Sequence, residues 1–145
     1  MHHSTLKSTA MQVLIFVTGL ILGVVINMIL VQAGTSVFPA PKGFDLSTEA
    51  GLKSAMPLMT FEYFIFPFLA HALGTFSGAW FVARYSKTRP RSAFGIGIAF
   101  FIGGIMMVTA VGGPLWFIIV DLTVAYIPMA WLGYTMAKKN IETTH

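Results

Sequence analysis

Apolar positions along this chain gather into four long runs separated by polar or Gly/Pro-rich stretches, and each run is long enough to cross a bilayer. The first covers residues 11–31 and holds no Asp, Glu, Lys, Arg or His. At ~1.5 Å per helical residue it reaches about 32 Å, the thickness of a hydrocarbon core. A cleavable signal peptide is the rival reading, because Lys7 precedes the run and Val31-Gln32-Ala33 would serve as a cleavage site. The apolar segment of a signal peptide normally extends only ~7–15 residues, so a retained span is expected. The second run, residues 58–83, is long enough to demand tilt or a kink, for which Pro67 offers a site. The third covers 92–111 and is thick with Gly95, Gly97, Gly103 and Gly104. The fourth covers 114–137, with Asp121 and Pro128 inside it. Only Gly112-Gly113 separates the third and fourth runs, which predicts an antiparallel hairpin with Pro114 in the first turn of the last helix.

Between the first two runs lies a stretch rich in Gly, Pro and Ser, residues 33–57. Residues 38–43 cannot form regular helix, because Pro39 and Pro41 remove donors and fix the backbone. Asp45-Leu46-Ser47 reads as a cap region for a short interfacial helix over 48–56, with Glu49 and Lys53 at i,i+4 and Pro57 ending it. The predicted fold class is therefore an all-α membrane protein: one domain over residues 1–145, four transmembrane helices, and a short interfacial helix between helices one and two.

Charge orients this arrangement. Lys7, Arg84, Lys87, Arg89, Arg91, Lys138 and Lys139 fall on one side of the four spans, whereas Lys42 and Lys53 fall on the other. Cytoplasmic loops carry the Lys/Arg excess, so both termini are expected in the cytoplasm. Aromatic belts agree, with Tyr63 and Trp116 near the outer interface and Trp80, Tyr85, Trp131 and Tyr134 near the inner one.

Composition excludes the soluble alternatives. Hydrophobic residues make up 56% of the chain and charged residues 10%, against roughly 25% charged in a soluble domain. The net charge of +4 does not point to nucleic acid, because the basic residues cap apolar runs and form no soluble surface. Cysteine is absent, so disulfides and thiolate metal sites are excluded.

Two constellations stand out. Gly19 and Gly23 in the first run, and Ala70, Gly74 and Gly78 in the second, form small-xxx-small stripes that let helices approach closely. The expected use is packing within the chain; a homo-oligomer face is the alternative. The other constellation is polar. Glu62, Asp121, Asn27 and Thr109 fall in the outer half of their runs, and His71 stands ~20 Å along the second run from its start. Ionisable groups at membrane depth cost several kcal/mol and normally face protein or water. His71 and Asp121 are therefore expected to face the bundle interior. One reading is a structural clasp in which His71 bonds Asp121 or a carbonyl. The other is a proton- or cation-linked relay running from Glu62 through Asp121 to His71. On a straight helix Glu62 and His71 point to opposite sides, so they share a site only if Pro67 redirects the chain.

No cofactor or metal is expected. Haem needs a second facing histidine, and a zinc site needs three converging ligands. No nucleophile–base motif and no phosphate loop is present, which leaves an enzyme as the third-ranked class.

Three stretches together carry a resemblance: Phe38-Pro39-x-Pro41-x-Gly43-x-Asp45-Leu46-Ser47; His71-Ala72-Leu73-Gly74-x-x-x-Gly78 continuing to Ala83-Arg84; and Pro114-Leu115-Trp116-Phe117 leading to Asp121, Tyr126, Pro128, Ala130 and Gly133. In these the chain resembles a family of small uncharacterised bacterial inner-membrane proteins with four transmembrane helices. The resemblance spans almost the whole chain and implies a multi-pass protein of the bacterial inner membrane, with no activity attached. Two functional classes remain open. One is a structural or accessory subunit packing against other membrane proteins. The other is a small transporter or channel, a class that predicts a homo-oligomer because four helices barely enclose a path.

Overall fold

The structure, a computed structural model, describes residues 2–86 and 89–142, so Lys87 lies outside the described residues, and for Lys7 and Lys139 only the backbone is described. Every regular element among them is helical. Four helical stretches are long and apolar enough to cross a membrane: Ser8–Val37, Phe61–Tyr85, Pro90–Val111 and Leu115–Lys138. The elements in order are α1 (His2–Val37), α2 (Glu49–Ala55), α3 (Ile65–Tyr85), α4 (Ala93–Val111), α5 (Leu115–Val124) and α6 (Ile127–Glu142).

The first helix outruns the apolar stretch that predicted it. Residues 33–37, expected in the loop, continue α1, with Thr35 and Ser36 donating back to the Gln32 carbonyl at 2.8 and 3.1 Å. It stops at Val37 because Pro39 pushes the residue before it out of helical conformation.

The second run breaks where none was expected. Met59 and Thr60 are extended, a 3-10 turn follows over Phe61–Phe64, and α3 begins only at Ile65. Pro67 therefore sits in the first turn of α3, where its missing N–H has no intrahelical partner to lose. It starts the helix; it does not kink one.

The short helix α2 forms where predicted, but its cap is Thr48, whose Oγ1 accepts from the Gly51 N–H at 3.1 Å. Asp45 closes the turn before it, its Oδ1 accepting from the Ser47 N–H (2.9 Å) and hydroxyl (2.6 Å). These bonds hold the Asp45 carboxyl below its ordinary value. Glu49 and Lys53 do not close: the one ion-pair contact among the described residues is between His71 and Asp121.

The fourth span is two helices. Pro128, second in α6, denies a bond to the carbonyl of Val124, and the chain turns through Ala125 and Tyr126 before resuming. Pro114 stands just outside α5 as its N-cap, one residue earlier than expected. Gly112 and Gly113, at φ 82° and 149°, make the sharp turn between α4 and α5.

Helix α3 is the hub, packing against α1, α4 and α6. Its seam with α1 is glycine against glycine. A Cβ on Gly78 would lie 2.6 Å from the Gly19 carbonyl oxygen, and one on Gly74 would lie 2.7 Å from that of Gly23. The two stripes recognised separately thus face each other within one chain, and Ala70, fully buried, extends the α3 stripe by a turn. Pairing falls along α1 as it rises along α3, so the helices are antiparallel. At the far end of the seam the buried Ser86 hydroxyl donates to the Gln12 side-chain oxygen. On the opposite flank Gly133 of α6 meets the α3 backbone, 2.6 Å from the Phe76 oxygen by the same measure.

Candidate functional site

The polar centre of the bundle is built from α3 and the broken fourth span. His71 stands about 9 Å into α3, and a 3-10 turn over Phe61–Phe64, in place of continuous α-helix, leads into it. Its Nδ1 lies 2.8 Å from Asp121 Oδ1, and the carboxylate, 2% exposed, is on the last turns of α5. The Tyr126 hydroxyl donates to the other carboxylate oxygen, Oδ2, at 2.7 Å, and lies 3.0 Å from His71 Nδ1. Three side chains therefore close a ring of contacts around one buried carboxyl group.

Tyr126 was not among the residues singled out as candidates for chemistry, and the reason is geometric. On a continuous helix, five residues rotate by about 500°, leaving Asp121 and Tyr126 roughly 140° apart. The break at Ala125–Tyr126 brings the phenol back under the carboxylate. The signal in the sequence was Pro128, two residues on. Tyr126 is 1% exposed and packs edge-on to Phe101. A Cβ on Gly104 would collide with its hydroxyl, which explains why α4 carries a glycine there.

The other expected members of the polar group are dispersed. Glu62 is exposed on the 3-10 turn before α3 and has no contact with the triad. Thr109 faces outward and donates to the Met106 carbonyl of its own helix at 2.8 Å. Asn27 comes closest: with His71, Tyr126 and Met107 it lines a lateral cleft of about 270 Å³ between α1 and α4. It forms no hydrogen bond to either. One turn beyond His71, Thr75 is fully buried with its hydroxyl unpaired.

A second cavity, about 190 Å³, opens on the other side of His71. It lies between the ends of α1, α3 and α4 and under Leu46, Leu52 and Met56 of the α2 segment. Tyr63 holds this end together by donating to the Pro39 carbonyl at 3.1 Å, and Phe64 packs on Phe117 with centroids 4.8 Å apart. At the opposite end of the bundle, Arg89, Arg91 and Lys138 surround a cleft with Tyr134, the Lys138 ammonium lying 5.3 Å from that ring. Among the described residues no group of three His, Asp or Glu is placed to hold a metal ion.

No family model matches this chain, and neither the curated proteins nor the solved structures contain a match.

Proposed function

We propose that this chain is a structural or accessory subunit of a bacterial inner membrane, packing against other membrane proteins. The observation that carries this reading is the closure of the triad. Both Asp121 oxygens and His71 Nδ1 are taken up by one another and by Tyr126. Glu62 and Thr109, which a relay would need, stand apart from it. A closed triad joining α3 to the α5–α6 break does what a clasp does: it fixes the rotation of two helices that lipid alone would not orient.

The orientation belongs to the same reading. Arg84, Arg89, Arg91 and Lys138 lie at one end of the helices and Lys42 and Lys53 at the other, so the arginine end is cytoplasmic and the α2 end is outside. Cysteines at Ser36 and Arg89, both exposed, should label from opposite sides of the membrane. Labelling from one side alone would refute the topology.

Mild extraction at native expression, followed by mass determination, tests the subunit role. A stoichiometric assembly with other membrane proteins is the expected result; a lone homo-oligomer would sink it. One observation favours the second reading, a small oligomeric transporter: cavities approach His71 from two sides. Its test is pH-dependent flux into proteoliposomes. Flux that survives both His71→Ala and Asp121→Asn would remove the relay.

A further inference from the structure

We infer that the cavity under α2 is a binding site for a planar, ring-sized carbonyl compound of the lipid phase, a quinone-type ring being the natural example, with the carbonyl oxygen held by His71 Nε2. The inference does not rest on the subunit reading.

Volume comes first. A cavity of ~150 Å³ lined by apolar side chains takes up benzene, and this one is about 190 Å³. Its walls suit a flat ring. Phe38, Tyr63, Phe64, Phe66 and Phe117 supply aromatic faces and edges, and Met107 an adaptable, polarisable surface. Such sites use a few placed polar groups to fix orientation within an apolar wall.

His71 supplies the polar group. Its Nδ1 is committed to Asp121 and Tyr126. In an imidazole the two nitrogens point nearly opposite ways, so Nε2 is turned away from the carboxylate, and it has no partner among the described residues. The His71 side chain keeps 22% of its surface exposed, and His71 lines this cavity.

Charge balance then sets the donor. At membrane depth a net charge is costly, so the His71–Asp121 pair is most stable when neutral overall. Two arrangements satisfy that. In one, an imidazolium faces a carboxylate. In the other, a carboxylic acid donates to Nδ1 of a neutral imidazole. Nε2 carries hydrogen in both. The cavity therefore presents an N–H donor, and its ligand is an acceptor: a carbonyl oxygen on a ring. A hydrocarbon chain would fill the walls but leave that donor unpaired.

The test compares acetophenone with α-methylstyrene, which replaces the carbonyl by a methylene of the same shape. Binding to the full chain in nanodiscs is measured with concentrations expressed in the lipid phase. Acetophenone should bind about tenfold more tightly, and its ¹³C-labelled carbonyl stretch should move to lower frequency on binding. His71→Phe, which keeps a ring in place, should bring the two ligands to parity and abolish the infrared shift. Leu52→Trp, which fills the cavity from α2 without touching the triad, should weaken acetophenone at least tenfold while the chain stays folded. Asn27→Leu, in the neighbouring cleft, should change nothing. Equal binding of the two ligands by the unsubstituted chain would overturn the inference, as would a carbonyl preference that survives His71→Phe. Loss of that preference in Asn27→Leu but not Leu52→Trp would place the ligand in the cleft and overturn it too.

Discussion

Helix α3 meets α1 along one flank and the α5–α6 span along the other, and the two contacts are made of different material. Against α1 the contact is backbone on backbone, with Gly74 and Gly78 laid over Gly23 and Gly19. Against the fourth span it is a ring of polar side chains, His71 with Asp121 and Tyr126. Lipid tails are as apolar as leucine, so burial of hydrocarbon gives helices little reason to associate. The seam gains by close dispersion contact, which tolerates no added atom. The clasp gains by pairing groups that would otherwise be unpaired in hydrocarbon, which tolerates changes of size but not of chemistry.

The sharpest break of this contrast is Gly78→Leu. Its Cβ would lie 2.6 Å from the Gly19 carbonyl oxygen, a backbone atom that cannot swing aside. Forced separation of α1 from α3 should cost about 3 kcal/mol, read as unfolding in mixed micelles and as loss of a disulfide engineered between positions 12 and 86. A Gly78→Leu chain as stable as its parent would mean that α1 is not held by the seam. Next is Asp121→Asn, which removes an acceptor shared by His71 and Tyr126 and should cost about 2 kcal/mol. In combination with His71→Ala it should cost little more than one substitution alone, since the two residues share one interaction. Full additivity would show that they do not. Tyr126→Phe deletes one bond and leaves the ring in its pocket, so about 0.6–1 kcal/mol is expected. A loss much above that would mean that the phenol does more than satisfy the carboxylate.

Thr75→Val should be neutral or stabilising by up to ~1 kcal/mol, because the hydroxyl it removes is buried and unpaired. Clear destabilisation would reveal a partner for that hydroxyl. The smallest effect lies outside the four candidate spans. Asp45 is held below its ordinary value by the Ser47 hydroxyl and N–H. A depressed carboxyl supports the folded turn above its unfolded value of 3.8, and that support is lost as pH falls through the lower folded value. Ser47→Ala should raise the Asp45 midpoint toward 3.8 in an NMR titration, and an unchanged midpoint would show that the turn does not perturb it.

The contrast also explains what could be read from residues. Small-xxx-small spacing is a one-dimensional signal, so both halves of the seam were visible, although their mutual pairing was not. His71 and Asp121 were visible as ionisable groups inside apolar runs. Glu62 was legible as an acid near the start of the second run, but the change from α-helix to a 3-10 turn that leaves it exposed was not, because hydropathy continues unbroken through residues 58–64. Tyr126 was passed over because its role depends on a break two residues before Pro128, which moves a phenol through most of a half-turn. The lateral cleft and the aromatic cavity are spaces between helices, and no single segment encodes either.

The sequence by itself determined the number of apolar runs, their ends and the residues within them that could not be left to lipid. Those properties follow from transfer energies that each segment meets alone. Which polar group meets which, and the cavities left on either side of His71, were decided only by tertiary structure. Such pairings depend on where helices start, break and cross, and small rotations of one helix against another change every partner.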